Sequence, residues 1–250
     1  MSVTRSIYVL WLRELKREWR EKSRIIASLM TPILWLFIFG TGIRVGKIEG
    51  VTDYRVFIFP GIIGMTLLFA SMRSGISVIW DKEFGFMKEI LVAPVSRTTI
   101  TFGKAIGGAT NAFLQGIVVL ILSPLIGLRL NPVRAIPALP MMFIIALGLE
   151  CIGLLIGILL DSLEGFQLIM SFITMPMFFL SGALFPMNTA PKTLEVLSYI
   201  DPLTYGVDAL RIILLGNNGI LPLWIDLVTI LAFASLMISL CSLTLRKRKQ

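Results

Sequence analysis

Six apolar runs, each long enough to cross a bilayer, divide this chain and leave it few ways to fold. They cover approximately residues 25–43, 56–79, 105–128, 136–160, 166–185 and 221–245. A hydrocarbon core of about 30 Å takes roughly 20 apolar residues as a helix, and lipid offers the backbone no hydrogen-bond partner. Each run must therefore satisfy its own N–H and C=O groups as a helix. Composition agrees: 56% of the 250 residues are hydrophobic and 15% charged, with mean hydropathy +0.87, where soluble domains carry roughly 25% charged residues. The expected fold is an all-α integral membrane domain over residues 1–250 with six transmembrane helices. Pro60 falls in the first turn of the second run, where proline is tolerated, and Pro176 with Gly182 weakens the fifth.

Six crossings put both termini on one side, and the cations choose which. Fifteen lysines and arginines flank the runs on the side of the termini, against seven on the other. The positive-inside rule places both termini and the segment after the second run in the cytoplasm, of a plasma or inner membrane. The net charge of +8 is thereby used for topology rather than for nucleic acid. Cys151 and Cys241 lie within apolar runs and read as small apolar side chains, not as a disulfide or metal pair. Histidine is absent, which removes His-based catalysis, His proton relays and most zinc sites.

Residues 4–22 read as an amphipathic helix. Tyr8, Trp11, Leu12, Leu15 and Trp19 share one face, while Arg13, Lys16, Arg17 and Arg20 point elsewhere. Tryptophans opposite basic residues fit a helix lying in the headgroup plane; the alternative is a basic flank that only sets topology.

The longest mixed-charge interruption is 81–104, DKEFGFMKEILVAPVSRTTITFGK. It must lie in water, and it is too elaborate for a turn. Lys82, Glu83, Phe84, Gly85, Phe86, Met87, Lys88 and Glu89 form its charged, aromatic core, with Gly85 and Pro94 shaping the bends. A short helix with charged edges and an aromatic tip can dock in a partner's groove and transmit motion; the plainer reading is a solvated loop.

Arg73 and Glu150 are the charges deepest within the runs, at depths differing by roughly 6 Å. An intramembrane charge is costly and by default paired or functional, so the two are expected to pair or to face a translocation path. A static ion pair that fixes helix packing is an equal alternative. Gly42/Gly46, Gly103/Gly107 and Gly153/Gly157 have the spacing of close helix contacts. The long connection 186–220, punctuated by prolines, is expected to form two short helices on or dipping into the outer leaflet. Within it Asp208 and Arg211, at i and i+3, are placed to pair.

Two stretches carry a family resemblance. DKEFGFMKEILVAPVSR is similar to the charged, Gly-centred segment of ABC-2 type transporter permeases that ends in Pro-Val-Ser-Arg. LSGALFPMNTAPKTLEVLSYIDPLTYGVDALR resembles their late signature, carried here by Gly182, Pro186, Pro202, Tyr205, Asp208 and Arg211 among others. The late signature is most similar to daunorubicin-resistance and nodulation-export permeases. One departure is that Gly85-Phe86-Met87-Lys88-Glu89 is one residue longer before the glutamate than the usual form. The resemblance covers the whole chain. It implies a cytoplasmic coupling helix in 81–104, an exporter assembled from two permeases (a second copy or a paralogue), and a separate cytoplasmic ATPase subunit. ATP and Mg would be bound there, with no cofactor on this chain. The sequence has no G-x-x-x-x-G-K-[ST] phosphate loop, so this chain is not expected to be an enzyme by itself. The implied cargo is a small amphiphile, drug, lipid or glycan.

Three other readings compete. A membrane-embedded enzyme needs a nucleophile with a base or a metal constellation, and the sequence shows none. An ion-coupled secondary transporter usually shows matched broken repeats and several intramembrane carboxylates, and only Glu150 lies deep here. A membrane scaffold would leave 81–104 without a purpose.

Overall fold

The computed structural model describes residues 3–38, 53–86, 95–128, 130–187, 190–216 and 219–247. The chain begins with α1 (Val3–Arg20) and α2 (Lys22–Phe37). A long bent helix follows, made of α3 (Tyr54–Ser74) and α4 (Ile76–Glu83) joined at Gly75. Then come α5 (Arg97–Ile121), α6 (Pro132–Leu159), α7 (Leu163–Leu180), the short α8 (Lys192–Ser198), α9 (Pro202–Leu215) and α10 (Leu223–Lys247). Small polar residues set five of the starts. Asp53, Ser96, Asn131, Ser162 and Asp201 each accept from a backbone N–H in the first turn that follows, which satisfies a donor the helix cannot.

Among the described residues five helices are long and apolar enough to cross a membrane: Tyr54–Glu83, Arg97–Leu125, Pro132–Leu159, Leu163–Leu180 and Leu223–Leu245. The first expected span is represented by the apolar stretch Ile25–Phe37; the rest of that run, with Gly42 and Gly46, lies outside the described residues. The helix that carries the third expected span, α5, begins at Arg97 rather than near residue 105. Ser96 caps it, and its first turns pack against α1 instead of standing in water.

The α3 helix is the centre of the bundle, with Phe59, Ile63, Leu67 and Leu68 fully buried. It crosses α6 at backbone contact: a Cβ on Gly75 would strike the Gly153 carbonyl, and one on Gly157 the Gly75 carbonyl. The Gly153/Gly157 pair thus seats the bend of α3–α4. By contrast α7 and α10 turn Phe172, Phe179, Trp224 and Leu236 outward, as lipid-facing helices do.

The connection before α10 does more than lie on the surface. α8 is largely exposed, but Leu203, Val207, Ala209 and Leu210 of α9 are completely buried. α9 re-enters the bundle, with Val207 against Gly64 of α3 and Gly206 against Ile145 of α6.

Candidate functional site

Five charged side chains from three segments meet at the end of the bundle that carries α1. Asp81, near the end of α4, pairs with Arg13 of α1 and with Lys104 of α5. Lys104 also reaches Glu14 at 3.0 Å, and Arg17 holds the other oxygen of Glu14 at 2.7 Å. Lys104, Glu14 and Asp81 are only 4%, 6% and 3% exposed. Charges that dry are tolerable only as a mutually paired set. Close helix approach makes the set possible. A Cβ on Gly103 would meet Leu10, and one on Gly107 would meet Glu14, while Trp11 Nε1 donates to Thr110 Oγ1 at 3.1 Å. The Gly103/Gly107 pair is therefore the seat of α1. The inward face of α1 carries Ser6 and Glu14, and Tyr8 and Trp19 of the aromatic face are exposed.

Of the eight residues expected to form a docking surface, Lys82 to Phe86 are described; Met87, Lys88 and Glu89 lie outside the described residues. Lys82 turns inward. Its Nζ donates to the carbonyls of Gly157, Ile158 and Leu160 at 2.9, 2.7 and 2.7 Å, and pairs with Asp161 at 3.1 Å. A cation on the last, otherwise orphaned carbonyls caps α6 and complements its dipole. Arg97 does the same for α10, donating to the Leu245 carbonyl at 2.8 Å. Glu83, Phe84 and Phe86 point outward, the two rings 70% and 49% exposed. Between them Gly85 takes φ +78°, a left-handed turn that glycine adopts without strain. The Arg13 guanidinium stands 5.6 Å from the Phe86 ring centroid, so α1 touches both the base and the tip of this segment.

Arg73 and Glu150 line one small polar cavity. Glu150 is fully buried and accepts a hydrogen bond from Ser74, the residue after Arg73. Its carboxylate lies directly against Gly108 of α5. Glu150 thereby joins α3, α5 and α6 at one crossing.

The late-signature residues gather at the opposite end. Arg211 is 3% exposed, donates to the Gly182 carbonyl at 2.8 Å, and stacks over Phe57 of α3 at 4.3 Å. Asp208 pairs with Arg211 at 3.6 Å and accepts from the backbone N–H groups of Ile220 and Leu221 at 2.8 to 3.0 Å. Gly182 has φ +69°, turning the chain after α7 back onto α3, where Tyr54 donates to the Leu184 carbonyl at 2.8 Å. Pro202 occupies the first turn of α9 after the Asp201 cap, and Tyr205 donates to the Tyr199 carbonyl at 2.8 Å. Pro186 lies at the end of that returning loop, next to the buried Met187. The signature is a clasp that holds α9 inside the bundle.

Sequence reasoning passed over Glu14 and Gln115, and read Lys104 as a solvated cation. The signal for the first was an acid on a basic helix, opposite a small-residue pair.

A membrane bundle with a pinned polar segment after its central helix defines a class, and comparison places the chain in it. Residues 5–215 match the ABC-2 type transporter family, and the chain belongs to that family. It is similar to the transport permease ycf38 of Cyanophora paradoxa, 29% identical over 77% of this chain and 68% of that one. Nodulation protein J of Rhizobium leguminosarum bv. viciae is 26% identical over 87% of this chain and 82% of its own length. The inner membrane transport permease YadH of Escherichia coli (strain K12) is 26% identical over 84% and 83% respectively.

Proposed function

We propose that this chain is the membrane-spanning subunit of an exporter driven by a separate cytoplasmic ATPase, working as a pair with a second permease in a prokaryotic plasma membrane. The observation that carries the reading is the ion pair between Asp81 and Lys104. It closes the base of the segment 81–104 and ties it to Arg13 and Glu14 of α1. Beyond that base, Phe84 and Phe86 project into solvent, the kind of aromatic tip that fills a partner's groove. A push on Phe84 and Phe86 bears on that pinned base. It moves α1, the end of α4 and the start of α5 together, and through Lys82 it reaches the end of α6. The permease contributes no ATP chemistry of its own; its part is to convert the partner's motion into helix movement.

The reading is tested by purifying the tagged chain from its native membrane. An ATP-hydrolysing subunit is expected to co-purify, and Phe84→Ala/Phe86→Ala is expected to lose it while inserting normally. A chain that purifies without any ATPase sinks the proposal.

A further inference from the structure

Asp226, in the first turn of α10, is 0% exposed, and neither of its carboxylate oxygens has a hydrogen-bond partner among the described residues. A carboxylate that dry needs a cation or a set of donors to hold it. It lines a cavity of about 10 Å³ between α8, α9 and the start of α10, together with Glu195, Tyr199, Tyr205 and Asp208. That space takes one water-sized group.

Most donors on the walls are committed elsewhere. Ser198 and Tyr205 donate to the carbonyls of Glu195 and Tyr199 at 2.7 and 2.8 Å, and Thr204 to that of Leu180 at 3.4 Å. The N–H groups of Ile220 and Leu221 serve Asp208, which Arg211 also balances. The acceptors left over are the oxygens of Asp226, the carboxylate of half-buried Glu195 and the lone pairs of Tyr205 Oη. A ligand that suits them brings both N–H or O–H donors and positive charge. A proton alone would neutralise Asp226 but leave the new O–H without an acceptor, since neither oxygen has a partner within bonding distance. A divalent metal takes six or more oxygens, and among the described residues no three acidic side chains converge to hold one. A primary ammonium asks for three acceptors, fits the volume, and is compatible with neighbouring tyrosine rings.

We infer that this cavity binds a primary ammonium group, its N–H donors on Asp226 and Glu195 with Tyr205 beside it. The group comes either from the aminoethyl head of a lipid or from a small soluble amine. A lipid source is within reach because the first turn of α10 stands where the apolar run begins, at the level of the head groups. The inference goes beyond the exporter reading and does not depend on it: the test uses the permease without any ATPase, so the two can fail separately.

In the first arm of the experiment the full chain is placed in nanodiscs of equal phosphatidylethanolamine and phosphatidylcholine, and the lipids it retains on release are counted by native mass spectrometry. The second arm measures saturable binding of labelled methylamine and tetramethylammonium to the chain in phosphatidylcholine discs, with protein-free discs subtracted. In at least one arm the primary amine should be preferred over its methylated counterpart by about tenfold or more. Asp226→Asn, which keeps the side chain's shape, should abolish that preference. Preference for the lipid alone assigns the site to a head group, and preference for methylamine alone assigns it to a soluble amine. The absence of preference in both arms, or a preference that Asp226→Asn leaves intact, overturns the inference. Should Asp226→Asn fail to insert, Glu195→Gln decides in its place: it should weaken the same preference, and an unchanged preference overturns the inference.

Discussion

Lys104 belongs by sequence to the cations that orient the chain, yet it is 4% exposed and holds two carboxylates. Removing it alone would leave two buried carboxylates with one arginine each, Arg13 on Asp81 and Arg17 on Glu14, at a cost of up to about 3 kcal/mol. Removing a carboxylate with it should recover part of the loss, because the two side chains contribute through each other. Lys104→Met is thus expected to lower the thermal unfolding midpoint in nanodiscs sharply, and Lys104→Met/Glu14→Gln by clearly less than the sum of the single changes. Additive losses would show that the knot is not a coupled unit. These residues were legible only in part. Glycine spacing at Gly103/Gly107 announced a close helix partner, but the pattern could not say that the partner was α1. Residue type misled for the same reason: a lysine at the edge of an apolar run is usually solvated, and only tertiary pairing puts it inside. Lys82 likewise reads as an edge charge because the carbonyls it caps lie 75 to 78 positions away in the chain.

At the scale of elements, the long helices were legible because a bilayer imposes length and apolarity directly on the sequence. Their ends shifted where a cap or a partner helix overrode hydropathy, as Ser96 does at the start of α5. The re-entry of α9 was harder to see. Fourteen residues are too few to announce a span, and its burial depends on Arg211 finding Gly182 and Phe57 from other segments. The cap of α9 makes a pH prediction. Burial pushes the Asp201 carboxyl up to about 7, against the pull of the Leu203 N–H it accepts. The raised value means that the fold favours the neutral acid. Its contribution is full below about pH 4 and is lost as pH rises through about 7, a change of roughly 4 kcal/mol. The unfolding midpoint should therefore fall between about pH 4 and pH 7. Asp201→Asn, which keeps an N-cap acceptor but cannot ionise, should flatten that fall. An unchanged slope in Asp201→Asn would place the titration elsewhere.

The whole molecule reads as a stiff bundle gripped at both ends. The charged knot of α1, α4 and α5 fastens one end, and the Arg211 clasp on α9 fastens the other. Between them, backbone contact at Gly75, Gly153 and Gly157 leaves α3–α4 and α6 little room to slide, so displacement at the knot should travel as a movement of whole helices. Fold class and family membership were legible from the apolar runs and two motifs, whereas the charged knot was not, since Arg13, Glu14, Asp81 and Lys104 converge only when three helices pack. The most direct measurement is the rate of ATP hydrolysis by the ATPase that co-purifies with this chain, reconstituted in lipid with and without it. The account predicts that the permease stimulates hydrolysis, and that Glu83→Ala/Glu89→Ala abolishes the stimulation while insertion stays intact. A rate indifferent to the permease, or to that double change, would contradict it.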